Sequence, residues 1–171
     1  RTTAPRWPPP MVDGVTNPYR TDRVAEDLFV GRDDLLANLL RSARTGRNSI
    51  HAVMGGRGMG KSSLARQIAR QYGREATVVV SSGAAARVEA DVSKALGASL
   101  EGAVVESLVR AVEAAASRRV LLVLDEVERL LEDPDGIGLL DNLREAYERA
   151  DGALAVFVLG GTKVQELLRG N

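Results

Sequence analysis

The stretch Gly55-Gly56-Arg57-Gly58-Met59-Gly60-Lys61-Ser62-Ser63 has the residue types and spacing to do chemistry. Glycines let a backbone curl until several N–H groups point inward, and a following helix adds partial positive charge at its N-terminus. A polyphosphate can then be held by Gly55, Gly58, Met59, Gly60 and Ser63 with few side chains involved. Lys61 would reach the outer phosphates and Ser62 would offer its hydroxyl to Mg²⁺. Arg57 either touches phosphate from within the loop or is a solvated loop arginine. A second constellation, Asp125-Glu126, closes the apolar run "VLLVL". Asp125 there would hold the water shell of the Mg²⁺, and Glu126 would polarise a water attacking the terminal phosphate, with Lys61 as its catalytic partner. The alternative is that Asp-Glu merely opens the surface helix "EVERLLED", where acidic residues are favoured at the start.

These groups meet only if the intervening chain brings them together. "SIHAVM" before the glycine loop is strand-like, and Lys61 to Tyr72 places Leu64, Ala65, Ile68, Ala69 and Tyr72 on one helical face. "ATVVV" is a short β-branched run, while "RVLLVLDE" and "ALAVFVLG" are apolar without alternation, as strands buried on both faces must be. Strands are thus expected at about 50–54, 76–80, 120–124 and 153–159. Between them, Val92, Ala95 and Leu96, then Val104, Val105, Leu108, Val109, Val112 and Ala116, recur at helical spacing. "GLLDNLREAYERA" is helical, with Leu139, Leu140, Leu143, Ala146 and Tyr147 facing inward. A first helix over roughly 32–44 presents Leu35, Leu36, Leu39 and Leu40. Strands alternating with helices of about a dozen residues give a parallel sheet with helices on both faces, an α/β three-layer sandwich.

The remaining composition excludes more than it assigns. The 171 residues suit one domain, and 44% hydrophobic with 27% charged residues is ordinary for a globular protein. Residues 1–23 hold five of the six prolines and no periodic pattern, so they read as an extended arm or linker, leaving 24–171 as the folded domain. No run reaches the roughly 18 apolar residues of a membrane span, no apolar signal segment opens the sequence, and there is no cysteine; a cytoplasmic setting without a membrane partner is expected. Basic and acidic residues number 23 each, which gives no global pull toward nucleic acid. His51 has no metal-spaced partner and reads as structural.

With the glycine loop and the Asp125-Glu126 strand goes a third element, Phe29-Val30-Gly31-Arg32-Asp33, ahead of the first helix. Together they resemble AAA+-related, STAND-type P-loop ATPases and origin-recognition-like ATPases, where a "FVGRE" box leads that helix; here Asp33 stands in place of Glu. The resemblance spans about residues 17–168. It implies a P-loop NTPase sandwich, ATP or ADP with Mg²⁺ as ligands, backbone near Phe29 and Val30 against adenine, and a γ-phosphate sensor at Thr162 or Lys163. Phe29 and Val30 could instead only pack the helix on the sheet, and Thr162 could be a helix N-cap.

Such a core has strand order 5-1-4-3-2, an arginine finger and a helical lid. This sequence shows four strands and stops just after the sensor, so it is expected to be a fragment lacking the fifth strand and lid, one that binds nucleotide better than it hydrolyses it. Arg144, Arg149 and Arg169 could serve as a finger in trans; on a surface this rich in arginine the alternative for each is a solvated charge. The implied function is a nucleotide-dependent switch: ADP holds it closed, and ATP permits homo-oligomerisation that activates a fused or separate effector domain. The alternative is a DNA-associated ATPase of the origin-recognition or transposition-regulator type.

Overall fold

The computed structural model describes residues 32–45, 50–100, 104–114, 119–162 and 164. The expected arm 1–23, the pair Phe29 and Val30, and Lys163 and Arg169 lie outside the described residues.

Four strands form one parallel sheet: β1 (Ile50–Met54), β2 (Thr77–Ser82), β3 (Val120–Asp125) and β4 (Leu154–Gly160), in the order β1-β4-β3-β2. The two uninterrupted apolar runs take the two central positions. There every β3 residue from Val120 to Leu124 is buried, and all of β4 but Val158. Alternation reappears as a division between two cores. Leu121 and Val123 of β3 and Ala155, Phe157 and Leu159 of β4 face α1 (Asp33–Thr45) and α2 (Lys61–Tyr72). Val120, Leu122 and Leu124 with Leu154 and Val156 face the other side, covered by α3 (Ala85–Leu96), α4 (Val104–Ala114), α5 (Val127–Leu131) and α6 (Gly136–Arg149). The period of two along each strand therefore separates one apolar sequence into two helix-covered faces.

Three expectations shift. Leu35 is 37% exposed, and the buried stripe of α1 is Leu36, Leu39, Leu40 and Ala43, because the helix turns only that arc toward α2 and the sheet. Strand β1 is less buried than its apolar sequence suggests: it pairs only with β4 among the described residues, leaving Ile50 and Ala52 exposed. Strand β2 runs two residues further than the β-branched run, because Ser81 and Ser82 continue the ladder opposite Leu124 and Asp125.

Side chains tie α1 to this frame. The Tyr72 hydroxyl and an Arg119 guanidinium N–H both donate to the Ala43 carbonyl, at 3.1 and 3.0 Å, satisfying an acceptor in the last turn of α1. Burial raises the Tyr72 pKa, which keeps the phenol in its donor form. Arg44 grips both oxygens of Glu75 at 2.7 and 2.9 Å. His51 Nε2 lies 2.5 Å from the Ser42 hydroxyl, and its ring sits edge-on to Phe157 at 5.3 Å. No helix among the described residues is long and apolar enough to cross a membrane.

Candidate functional site

In an open parallel sheet, ligands bind outside the carboxyl ends of the strands, where neighbouring connections leave for opposite faces. Here β1 runs into α2 on one face, while β2 and β3 run into α3 and α5 on the other. Met54 pairs with Gly160, and Leu124 with Val158, so the carboxyl ends of β1, β4 and β3 lie side by side. The glycine loop, Thr162 and Asp125-Glu126 follow those three ends. The fold therefore gathers at one end of the sheet residues that the sequence separates by more than a hundred positions.

The loop is rooted where Gly55 N–H donates to the Gly160 carbonyl at 3.1 Å, continuing the β1–β4 ladder one residue past the strand. Gly58 and Gly60 take φ of 77° and 76°, the left-handed region that side chains disfavour. A Cβ at either would meet no atom within 4 Å, so glycine is required there by backbone conformation and leaves room above the loop. Gly60 is the N-cap of α2 and has no side chain with which to cap it. The first N–H groups of α2, at Lys61, Ser62 and Ser63, therefore sit at a helix start whose macrodipole favours an anion. Met59 is exposed and folds back so that its sulfur accepts the Gly56 N–H at 3.1 Å. Arg57 is exposed, and Ser62 and Ser63 are half-buried.

Lys61 is half-buried, and its ammonium donates to the Gly55 carbonyl at 2.7 Å and to the Gly56 carbonyl at 2.9 Å. An ammonium has three N–H donors, so two hold the loop and the third is available to an anion. Asp125, the last residue of β3, is half-buried, and its Oδ1 accepts the Glu126 N–H at 3.0 Å. Glu126 adopts φ 52° and ψ 48°, left-handed although it is not glycine. Strain of this kind persists only where the surroundings over-determine it. Glu126 precedes α5 yet its side chain makes no capping hydrogen bond. It is instead exposed and pairs through Oε2 with Arg129 at 3.1 Å. Glu126 is the N-cap residue of α5, so the pair stands both at the carboxyl end of β3 and at an acidic helix start. Thr162 is exposed and already helical, so it is not the N-cap residue. Arg144 and Arg149 form surface ion pairs, Arg144 with Glu148 at 3.1 Å and Arg149 with Glu106 at 2.9 Å. Hydrogen bonding to Arg149 lowers the Glu106 pKa below its ordinary value.

One residue that sequence reasoning missed stands in this group. The Glu128 carboxylate accepts the Gly161 N–H, joining the first turn of α5 to the residue before Thr162. The double glycine at the end of β4 was the available signal, since adjacent glycines at a strand end imply a close neighbour.

The donor set fits a polyphosphate with a hard divalent cation: the N–H groups that open α2, one ammonium, hydroxyls and the carboxylates of Asp125 and Glu126, with open space over Gly58 and Gly60. Among the described residues no cluster of three or more His, Cys, Asp or Glu could hold a metal alone. Mg²⁺ suits that poverty of ligands, because it is bound through one or two protein groups together with substrate phosphates and water.

A family model described as AAA domain matches residues 43–168, most of the chain. The protein belongs to the AAA domain family. Two solved structures are similar to the chain, of which the first shares its fold. The ORC1 protein of Aeropyrum pernix, in complex with DNA, superposes with a TM-score of 0.55 at 22% identity, over 79% of this chain and 40% of that one. PCH-2 of C. elegans gives a TM-score of 0.45 at 16% identity, over 82% of this chain and 41% of that one. This AAA domain chain thus spans about two fifths of either neighbour's length. No curated protein matches it in sequence. The family match and the fold likeness to the ORC1 structure agree with the four-stranded parallel sheet flanked by helices.

Proposed function

We propose that this AAA domain binds ATP and ADP with Mg²⁺, hydrolyses ATP slowly, and works as a nucleotide-dependent switch. The observation that supports it best is the loop itself: two left-handed glycines deliver the chain to an uncapped helix start, with Lys61 poised beside it. Gly55, Gly58, Met59, Gly60, Lys61, Ser62 and Ser63 cradle the phosphates, and exposed Arg57 borders them. Ser62 and Asp125 hold Mg²⁺, which when bound neutralises phosphate charge and orients the γ-phosphate. Glu126 orients the attacking water and accepts its hydrogen bond; its left-handed backbone keeps the carboxylate off the α5 N-terminus and open to solvent. Thr162 follows the end of β4 and reads the γ-phosphate. Backbone near Phe29 and Val30 contacts the adenine.

The switch reading assigns ADP to a closed monomer and ATP to a homo-oligomer that engages an effector domain and supplies an arginine in trans, as in the STAND-type ATPases. Its test is to denature the purified protein and identify the released nucleotide by chromatography, then to measure mass in solution with Mg²⁺-ADP and with a non-hydrolysable ATP analogue. Retained ADP and an ATP-dependent mass increase are expected; a chain that binds neither nucleotide refutes the reading.

A second reading, ATP-dependent binding to duplex DNA, is favoured by one surface feature. Arg66 and Arg70 on α2 and Arg74 just beyond it are exposed at four-residue spacing, one helical turn apart. Salt-sensitive DNA binding that requires ATP and falls when these arginines become glutamate would establish it.

A further inference from the structure

Two glycines at the end of β4 are enclosed by the two residues that follow Glu126. A Cβ at Gly160 would lie 2.9 Å from Val127 Cγ1, 3.0 Å from Met54 Sδ and 3.1 Å from Val164 Cγ2. At Gly161 a Cβ would fall on the Glu128 carboxylate, which already accepts that residue's N–H. Val127 is fully buried and Glu128 half-buried. The chain from Asp125 to Glu128 and the chain from Gly160 to Thr162 are therefore held together by a close methyl packing and a charge-assisted hydrogen bond, both made by the two residues that follow the strained Glu126.

We infer that Glu128 is a positioning residue that sets the segment beginning at Gly161 in register with Asp125 and Glu126. The inference rests on the proposed function, because it concerns how the same site reads the third phosphate. Glu128 engages, through Oε1, the backbone N–H of the residue before Thr162. Its contribution is geometric: the first turn of α5 cannot move relative to the start of the Thr162 segment without breaking this bond. Wherever the γ-phosphate bears on Thr162, the displacement is transmitted to Glu126 through two residues of backbone. Removing Glu128's acceptor uncouples the two segments while leaving the glycine loop, which grips the other phosphates, rooted on the Gly160 carbonyl.

The test compares affinities of the full chain for fluorescent ADP and for a fluorescent non-hydrolysable ATP analogue, both with Mg²⁺, in wild type, Glu128→Ala, Glu128→Gln and Gly161→Ala. Loss of one charge-assisted hydrogen bond predicts that Glu128→Ala reduces the preference for the ATP analogue about tenfold, with ADP affinity unchanged. Glu128→Gln retains an oxygen acceptor and restores most of the preference. Gly161→Ala displaces the carboxylate from the opposite side and reproduces the Glu128→Ala loss, which keeps the test decisive should Glu128→Ala fold poorly. An unaltered preference in the variants overturns the inference while leaving nucleotide binding intact. So does a parallel loss of ADP and ATP-analogue affinity, which would make the contact a structural tie only. A wild type that binds both nucleotides equally overturns it as well. A wild type that binds neither overturns the proposed function and this inference together.

Discussion

Replacing Gly60 by alanine separates backbone conformation from packing. Gly60 has φ 76° and ψ 24°, and an added Cβ would have no neighbour within 4 Å, so no steric clash enters. What remains is the cost of holding an L-residue in the left-handed region, about 1–2 kcal/mol. For a domain of this size that corresponds to roughly 2–8 °C in Tm. Gly138 supplies the opposite sign within the same molecule. It lies in the exposed face of α6, its φ is not positive, and its Cβ would also meet nothing within 4 Å. Gly138→Ala should therefore stabilise by about 0.5–1 kcal/mol through helix propensity alone. Chemical denaturation of both variants, with and without Mg²⁺-ADP, provides the assay. Saturating ligand at about 100 times Kd adds about 2.7 kcal/mol to a competent site. The Gly60 variant should lose much of that increment, because its methyl occupies the space over the loop, whereas the Gly138 variant should keep it. A Gly60→Ala protein as stable as wild type, or one showing the full ligand increment, would refute the reasoning about the loop.

Other substitutions probe different links. Lys61→Ala should weaken Mg²⁺-ADP binding at least tenfold, since a hydrogen bond to a charged group is worth about 1.5–3 kcal/mol; titration calorimetry reads this directly. Phe157 is fully buried between the sheet and α1–α2, so Phe157→Ala should cost about 3–5 kcal/mol in a urea titration. Burial pushes the Asp91 pKa up, but hydrogen bonds from Ser81 at 2.7 Å and Arg87 at 3.0 Å outweigh it and hold the group below its ordinary 3.8. A lowered folded-state pKa contributes stability that is present above the unfolded value and lost as pH falls through the folded one. The stability gap between wild type and Asp91→Asn should accordingly be constant near neutrality and shrink below about pH 4, as denaturant midpoints across that range will show.

Much of this architecture was legible because two signals reinforce each other. The runs "VLLVL" and "ALAVFVL" read as strands buried on both faces, and the observed order puts both in the middle of the sheet. The helix from Lys61 to Tyr72 was legible to the residue, since a glycine opens it and Gly73 follows it. The partial exposure of β1 was not, because an apolar strand does not state how many neighbours it has. Nor was the relation between Glu126 and Glu128. In "DEVERLLED" every acid reads alike, as a helix-start carboxylate or as solvated charge. Their roles diverge only when β4 is laid beside β3: Glu126 is turned into a left-handed, exposed conformation, and Glu128 reaches the backbone at Gly161.

That divergence also explains why strain should accumulate at Glu126 and not be relieved by a shift of one residue. Sliding α5 forward would draw Glu128 off the Gly161 N–H and move Val127 out of a buried contact. Sliding it back would drive Val127 into Gly160, where a real Cβ would already be crowded by the same methyl. Asp125 fixes the other side, in register with Ser82 at the last rung of the β2–β3 ladder and hydrogen-bonded to the Glu126 N–H. With both flanks pinned, the single residue between them absorbs the change of direction from strand to helix, at a cost on the order of 1–3 kcal/mol. Glu126→Gly should recover part of that cost while abolishing any chemistry the carboxylate performs. A variant that is more stable and binds nucleotide, yet does not hydrolyse it, is the signature expected of strain kept for function. A variant no more stable than wild type would mean that the left-handed turn is relaxed in solution, and that the clamp around Gly160 and Gly161 is looser than its contacts imply.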